Sequence, residues 1–93
     1  SLQEAVLVQQ QESDSLLIDV RTETEYAQGH LEGALHLPMM CILKNPYIVS
    51  ERRDIHVLLY CAKGYMSETA AQSLVRAGYE NVSYFAWNQK MLN

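Results

Sequence analysis

The chain has 93 residues, 48% of them apolar and 19% charged, and seven Lys+Arg against eleven Asp+Glu leave a net charge of −4. That length and balance fit one domain, residues 1–93, with a single core, globular rather than disordered. No basic patch offers to displace counterions from a nucleic-acid backbone, and no apolar run approaches the length of a membrane span. Neither nucleic acid nor membrane is therefore expected as a partner, and a monomer suits the size.

In chain order, Leu2 to about Gln11 reads as a short helix. Leu16-Leu17-Ile18-Asp19-Val20 is a nearly continuous apolar run, the pattern of a strand covered on both faces. Thr22 to Gln28 suits a short helix with Thr22 as N-cap, Glu25 completing a capping box and Gly29 ending it. Ala34 to Leu37 is a short strand stopped by Pro38. Met39 to Leu43 is a helical turn broken at Asn45-Pro46. Ile55 to Tyr60 is the second strongly apolar strand. Ser67 to Ala77 is the best helix, with Ser67 as its cap, Ala70, Ala71, Leu74 and Val75 facing inward and Gly78 at its C-terminal exit. Val82 to Phe85 is the last strand, and Trp87 to Met91 adds a turn of helix.

Strands alternating with helices specify an α/β fold, a parallel sheet wrapped on both faces. The two continuous runs belong at the centre and the shorter ones nearer the edges. A topological switch point then lies between the central strands, where ligands of open α/β sheets bind beyond the carboxyl ends. Asp19, Arg21 and Cys61 fall there.

The segment Cys61-Ala62-Lys63-Gly64-Tyr65-Met66-Ser67 links a central strand to the best helix. A cysteine just before a helix N-terminus meets unpaired N–H groups and the positive end of the dipole, which favour the thiolate, its reactive form. Gly64 allows positive φ, so successive amides turn inward around a charge. Lys63 adds the loop's one cation. The competing reading is an inert buried thiol, the commoner state of free cysteine, but the strand–cysteine–glycine loop–helix context favours the reactive one. Cys41 has no such setting and reads as a buried apolar filler. The two cysteines are too few for a disulfide scaffold. Neither they nor His30, His36 and His56 show metal-ligand spacing, so no metal is expected.

These residues resemble the rhodanese-like domain family. The first half of that pattern is carried by Leu17-Ile18-Asp19-Val20-Arg21, Glu25-Tyr26, Gly29-His30-Leu31-Glu32-Gly33-Ala34 and Leu37-Pro38. The second is carried by Val57 to Cys61, Gly64, Ser67, Ala70-Ala71, Leu74, Ala77-Gly78-Tyr79 and Val82. The resemblance implies a three-layer α/β/α sandwich on a parallel sheet of four to five strands, ordered 34–37, 16–20, 55–60, 82–85. It also implies sulfur transfer without a cofactor. Cys61 would take sulfane sulfur from thiosulfate, a persulfide or a polysulfide as a Cys61 persulfide. A thiol, cyanide or a sulfur-relay protein would then remove it. The amides of Ala62, Lys63, Gly64, Tyr65, Met66 and Ser67 would cradle the sulfur.

Related phosphatases carry a longer loop, a His before the Cys and an Arg at its end. Here Tyr60 and Ser67 stand at those places, so a phosphoryl group would lack its bidentate clamp. Family loops that act on thiosulfate often end in a basic residue, where this chain has Met66. A non-enzymatic sulfur carrier or a protein-binding module on the same fold is the alternative function. Asp19 and Arg21 are expected to support the loop. Asp19 accepts backbone donors and pairs with Arg21, which has Glu25 as a further candidate partner. His30 suits a turn-fixing hydrogen bond better than a general base. His56 reads as a surface residue at a strand start, Tyr65 and Met66 as the pocket rim, and Trp87 as core. The cytoplasm is the expected compartment, with the periplasm as the alternative should a leader have been removed.

Overall fold

A computed structural model describes residues 14–92. Four strands, β1 (Ser15–Asp19), β2 (Leu35–His36), β3 (His56–Cys61) and β4 (Asn81–Ala86), form one parallel sheet in the order β2-β1-β3-β4. Three α-helices connect them: α1 (Glu23–Gln28), α2 (Met39–Lys44) and α3 (Tyr65–Arg76). Two 3₁₀ turns, Pro46–Ile48 and Gln89–Leu92, complete the described elements. The strand order is the one expected. The helix anticipated over residues 2–11 lies outside the described residues.

The unbroken apolar runs are explained by alternation between two covered faces. On one face Ile18, Val20, Val57, Leu59 and Cys61 pack with Ile42 of α2 and with Ala70, Ala71 and Leu74 of α3. On the other, Leu17, Leu58, Tyr60 and Phe85 pack with Leu31, Ala34 and Trp87. A loop and the segment after β4, rather than a helix, supply that second cover among the described residues. Trp87 is fully buried, as expected, and its indole N–H has no partner among the described residues.

Local chemistry sets the element ends. Thr22 Oγ1 accepts from the Glu25 N–H, and the Glu25 carboxylate accepts from the Thr22 N–H, which closes the capping box on α1. Glu25 is thereby committed to α1, and Arg21 pairs with Asp19 instead. At the far end of α3, Gly78 has φ +100°, its N–H reaches Val75 O, and the Tyr79 N–H reaches Leu74 O. That is a Schellman exit, available to glycine at little steric cost.

Three expectations are corrected. Val75, expected to face inward, is exposed, because it follows the buried Leu74 by one position and is turned about 100° toward solvent. Cys41 is exposed, not buried. In the six-residue α2, Ile42 takes the inward position and its neighbour is turned about 100° away toward solvent. The last helix begins at Tyr65, with Gly64 rather than Ser67 at the N-cap. Gly64 has φ +90°, so the chain enters the helix one turn early and Ser67 falls inside it.

The sheet's carboxyl edge rests on a buried ion pair. Arg21 Nε lies 3.0 and 3.1 Å from the two Asp19 carboxylate oxygens, and Nη2 lies 2.8 Å from Oδ2. Nη2 also donates to Gly29 O. Burial opposes the guanidinium charge, but the Asp19 hydrogen bonds and attraction outweigh it and hold the group above its ordinary range. Removing one partner strands the other charge. Asp19→Ala is therefore expected to lower the unfolding free energy by about 3–5 kcal/mol, against about 0.5 kcal/mol or less for the exposed Glu23→Ala, measured by urea denaturation.

Candidate active site

β3 ends at Cys61 and α3 begins four residues later, so the carboxyl end of the central strand and the helix N-terminus converge on one sulfur. The Gly64 N–H lies 3.1 Å from Cys61 Sγ and the Ser67 N–H lies 3.2 Å from it. Glycine at the N-cap has no side chain to satisfy the orphan amides of the first turn. The sulfur of Cys61 does so from three residues upstream, which makes it the cap of α3 in all but sequence position. A thiolate there keeps both donors and gains the favourable end of the helix dipole.

Ser67 contributes twice. Its amide binds the sulfur, and its hydroxyl lies 3.4 Å from Sγ, placed to accept the thiol proton. The same hydroxyl lies 3.1 Å from Gly64 O and 3.3 Å from Phe85 O. It thus joins the loop, α3 and β4 at one buried point. Cys61 is further fixed by its own carbonyl, which accepts from the Trp87 N–H at 2.8 Å.

Of the sequence-derived loop residues, Gly64 and Ser67 hold the sulfur through their amides. Ala62, Lys63, Tyr65 and Met66 instead line an apolar cleft of about 190 Å³ above Cys61. Tyr65 is 76% exposed and forms its outer rim. Asp19 and Arg21 do not contact the sulfur. They support the floor, with the Arg21 guanidinium 5.6 Å from the centre of the Tyr60 ring and 5.1 Å from that of Trp87. Burial pushes the Tyr60 hydroxyl well above its ordinary range, and it stays neutral while accepting from the Leu31 N–H. His30 Nδ1 bonds Tyr26 O at the end of α1, the turn-fixing role expected of it. No group of three metal-ligating side chains gathers among the described residues.

The sequence reading missed Glu25 as a site residue. Its capping box was legible, but only the fold shows that α1 returns to the cradle and sets Glu25 on the wall of the cleft over Cys61. Glu25 also borders a second cleft of about 300 Å³, with Arg21, Gln28, Ala62, Asn88, Gln89 and Lys90.

Gly64→Ala isolates the backbone contribution. An added Cβ would meet only Ala86 Cβ, at 3.8 Å, so the cost is conformational. A residue with a Cβ at this φ is expected to lose about 1–2 kcal/mol of stability. Alkylation of Cys61 by iodoacetamide should slow with it, both followed on the same protein.

Comparison with known proteins agrees with this architecture. The rhodanese-like domain model matches residues 3–87. A sulfurtransferase of Allochromatium vinosum is 43% identical over 70 residues, covering 74% of this chain and 63% of that protein. A tRNA uridine(34) hydroxylase of Bacillus velezensis is 32% identical over 79 residues, covering 81% of this chain and 24% of that protein. The chain thus spans less than two thirds of either relative. A solved Escherichia coli rhodanese with bound anions superposes with a TM-score of 0.71 at 28% identity, covering 77% of this chain and 85% of that one. The chain belongs to the rhodanese-like domain family.

Proposed function

We propose that this domain is a sulfurtransferase that carries sulfane sulfur on Cys61. The observation that carries the reading is the pair of amide donors, Gly64 and Ser67, at 3.1 and 3.2 Å from a sulfur at the sheet's switch point. In the first half-reaction the Cys61 thiolate attacks the outer sulfur of thiosulfate. The S–S bond breaks, sulfite leaves with the electron pair, and Cys61 holds a persulfide. In the second, a thiophilic acceptor attacks the outer sulfur and the Cys61 thiolate departs with the electrons. The residues supply what such a displacement needs: a nucleophile held at its attack position and fixed dipoles facing the charge. No cofactor enters either step.

Met66 bears on the donor. The cradle offers a dianion only Lys63, an exposed cation, beside the amides. A persulfide or polysulfide donor, with less charge to neutralise, fits the cleft better than thiosulfate. The same feature favours a second reading, a carrier module that receives sulfur from a protein and turns over small donors slowly.

On a Cys41→Ser background, which removes the exposed second thiol, incubation with thiosulfate or polysulfide, removal of the excess and intact mass measurement should give a one-sulfur adduct when Cys61 is present and none with Cys61→Ser. Absence of the adduct with both donors refutes the assignment. Met66→Arg is expected to raise thiosulfate turnover about ten- to a hundredfold, since a hydrogen-bonded charge at the cleft contributes roughly 1.5–3 kcal/mol. A large gain would mark the wild type as a carrier or a polysulfide enzyme, and an unchanged rate would show that Met66 does not limit thiosulfate use.

A further inference from the structure

We infer that Glu25 selects the sulfur acceptor by charge and that its class is a small aminothiol, a thiol carrying an ammonium group. This rests on Cys61 as the sulfur carrier. Two clefts meet at the cradle, one apolar and opening on Cys61, the other polar and lined by Gln28, Asn88, Gln89 and Lys90. Among the described residues only Glu25 and Ala62 border both. A molecule lying across the ridge between them, thiol toward Cys61 and polar end in the second cleft, passes the Glu25 carboxylate.

The charges around that path do not cancel. Arg21 borders the polar cleft and feels a weak attraction from Glu25, but its charge is met first by Asp19, through hydrogen bonds and a buried ion pair. Lys63 and Lys90 are exposed, on long flexible stems, and their fields are screened by water. Glu25 is half-buried and fixed, with Oε1 held by the Thr22 N–H and hydroxyl at 3.3 and 3.0 Å. No cation forms an ion pair with it among the described residues. Its second oxygen has no hydrogen-bond partner among them and is left to bind an ammonium group. The resulting local field disfavours anionic thiols and favours cationic ones. In the transfer step the aminothiol thiolate attacks the outer sulfur of the Cys61 persulfide. The S–S bond to Sγ breaks and the pair returns to Cys61 as thiolate. The product leaves as the aminothiol persulfide, with total charge conserved.

Glu25→Gln tests this with little risk to the fold, because glutamine closes a capping box as glutamate does. The control is Glu80→Gln, which removes an equal exposed charge at the amino end of β4. All proteins compared carry Cys41→Ser, which removes the exposed second thiol, and the first measurement needs no sulfur transfer: the rate at which Cys61 reacts with 2-aminoethyl and with 2-sulfonatoethyl methanethiosulfonate. The cation-to-anion rate ratio is expected to fall roughly three- to tenfold in Glu25→Gln, the effect of one charge across a partly screened cleft. It should stay within about twofold of wild type in Glu80→Gln. The second is discharge of the polysulfide-loaded protein by cysteamine and by 2-mercaptoethanol, each rate expressed per thiolate. Wild type should prefer cysteamine and Glu25→Gln should lose the preference. Equal ratios in the two variants, or no preference in the wild type, overturn the inference. A ratio that depends on Glu25 in a protein that accepts no sulfur upholds the charge filter and refutes the transfer reading instead.

Discussion

Arg21 is the constraint on which the carboxyl edge of the sheet depends. A guanidinium in a core is costly unless its charge and its donors are met. Here Asp19 meets the charge with a forked contact, Gly29 O takes a donor from Nη2, and the rings of Tyr60 and Trp87 lie against the planar group. Those partners belong to β1, the exit of α1, β3 and the segment after β4. One side chain therefore fixes where four pieces of chain leave the sheet. Trp87, held in this way, donates to the Cys61 carbonyl and so anchors the strand end from which the cradle departs.

The cradle solves an electrostatic problem set by composition. On the proposed sulfurtransferase reading, a chain of net charge −4 that handles anionic sulfur cannot rely on its surface potential. Backbone dipoles serve instead, because they carry no net charge, are held rigidly by α3 and lose little to screening at contact distance. This arrangement requires a left-handed residue at the helix entry, which Gly64 provides, and a helix that lends its first-turn amides to a sulfur rather than to its own cap. The proposed role of Glu25 follows from the same economy. With charge handled at the floor by amides, side-chain charge at the rim is free to discriminate among incoming molecules.

Much of this was legible in the residues. The two continuous runs declared central strands because both faces of β1 and β3 are covered, and their ends located Cys61, Asp19 and Arg21 together. The Thr22–Glu25 capping box was readable because it is a local pattern. What escaped was decided by tertiary geometry. Ser67 has the chemistry of a cap, but the Cys61 sulfur already fills that role, so the helix starts at Tyr65 and Ser67 turns inward. Met39–Lys44 is apolar at five of six positions, so periodicity could not say that Ile42 rather than Cys41 faces the core. Glu25 reaches the site only because α1 folds back over the end of the sheet, a placement no local pattern encodes.

The site therefore divides into a floor and a rim with different tolerances. The floor consists of buried groups, Asp19, Arg21, Cys61 and Ser67, each with several partners, so a change at any of them disturbs folding and the sulfur together. The rim consists of Glu25, Lys63, Tyr65 and Met66, which are exposed or half-buried and whose substitution, apart from loss of the Glu25 capping box, costs typically about 0.5 kcal/mol or less. Charge and shape at the rim can therefore vary with little effect on the position of Sγ. On the proposed reading the reacting sulfur is held by backbone, and the choice of donor and acceptor falls to rim side chains that stability constrains less.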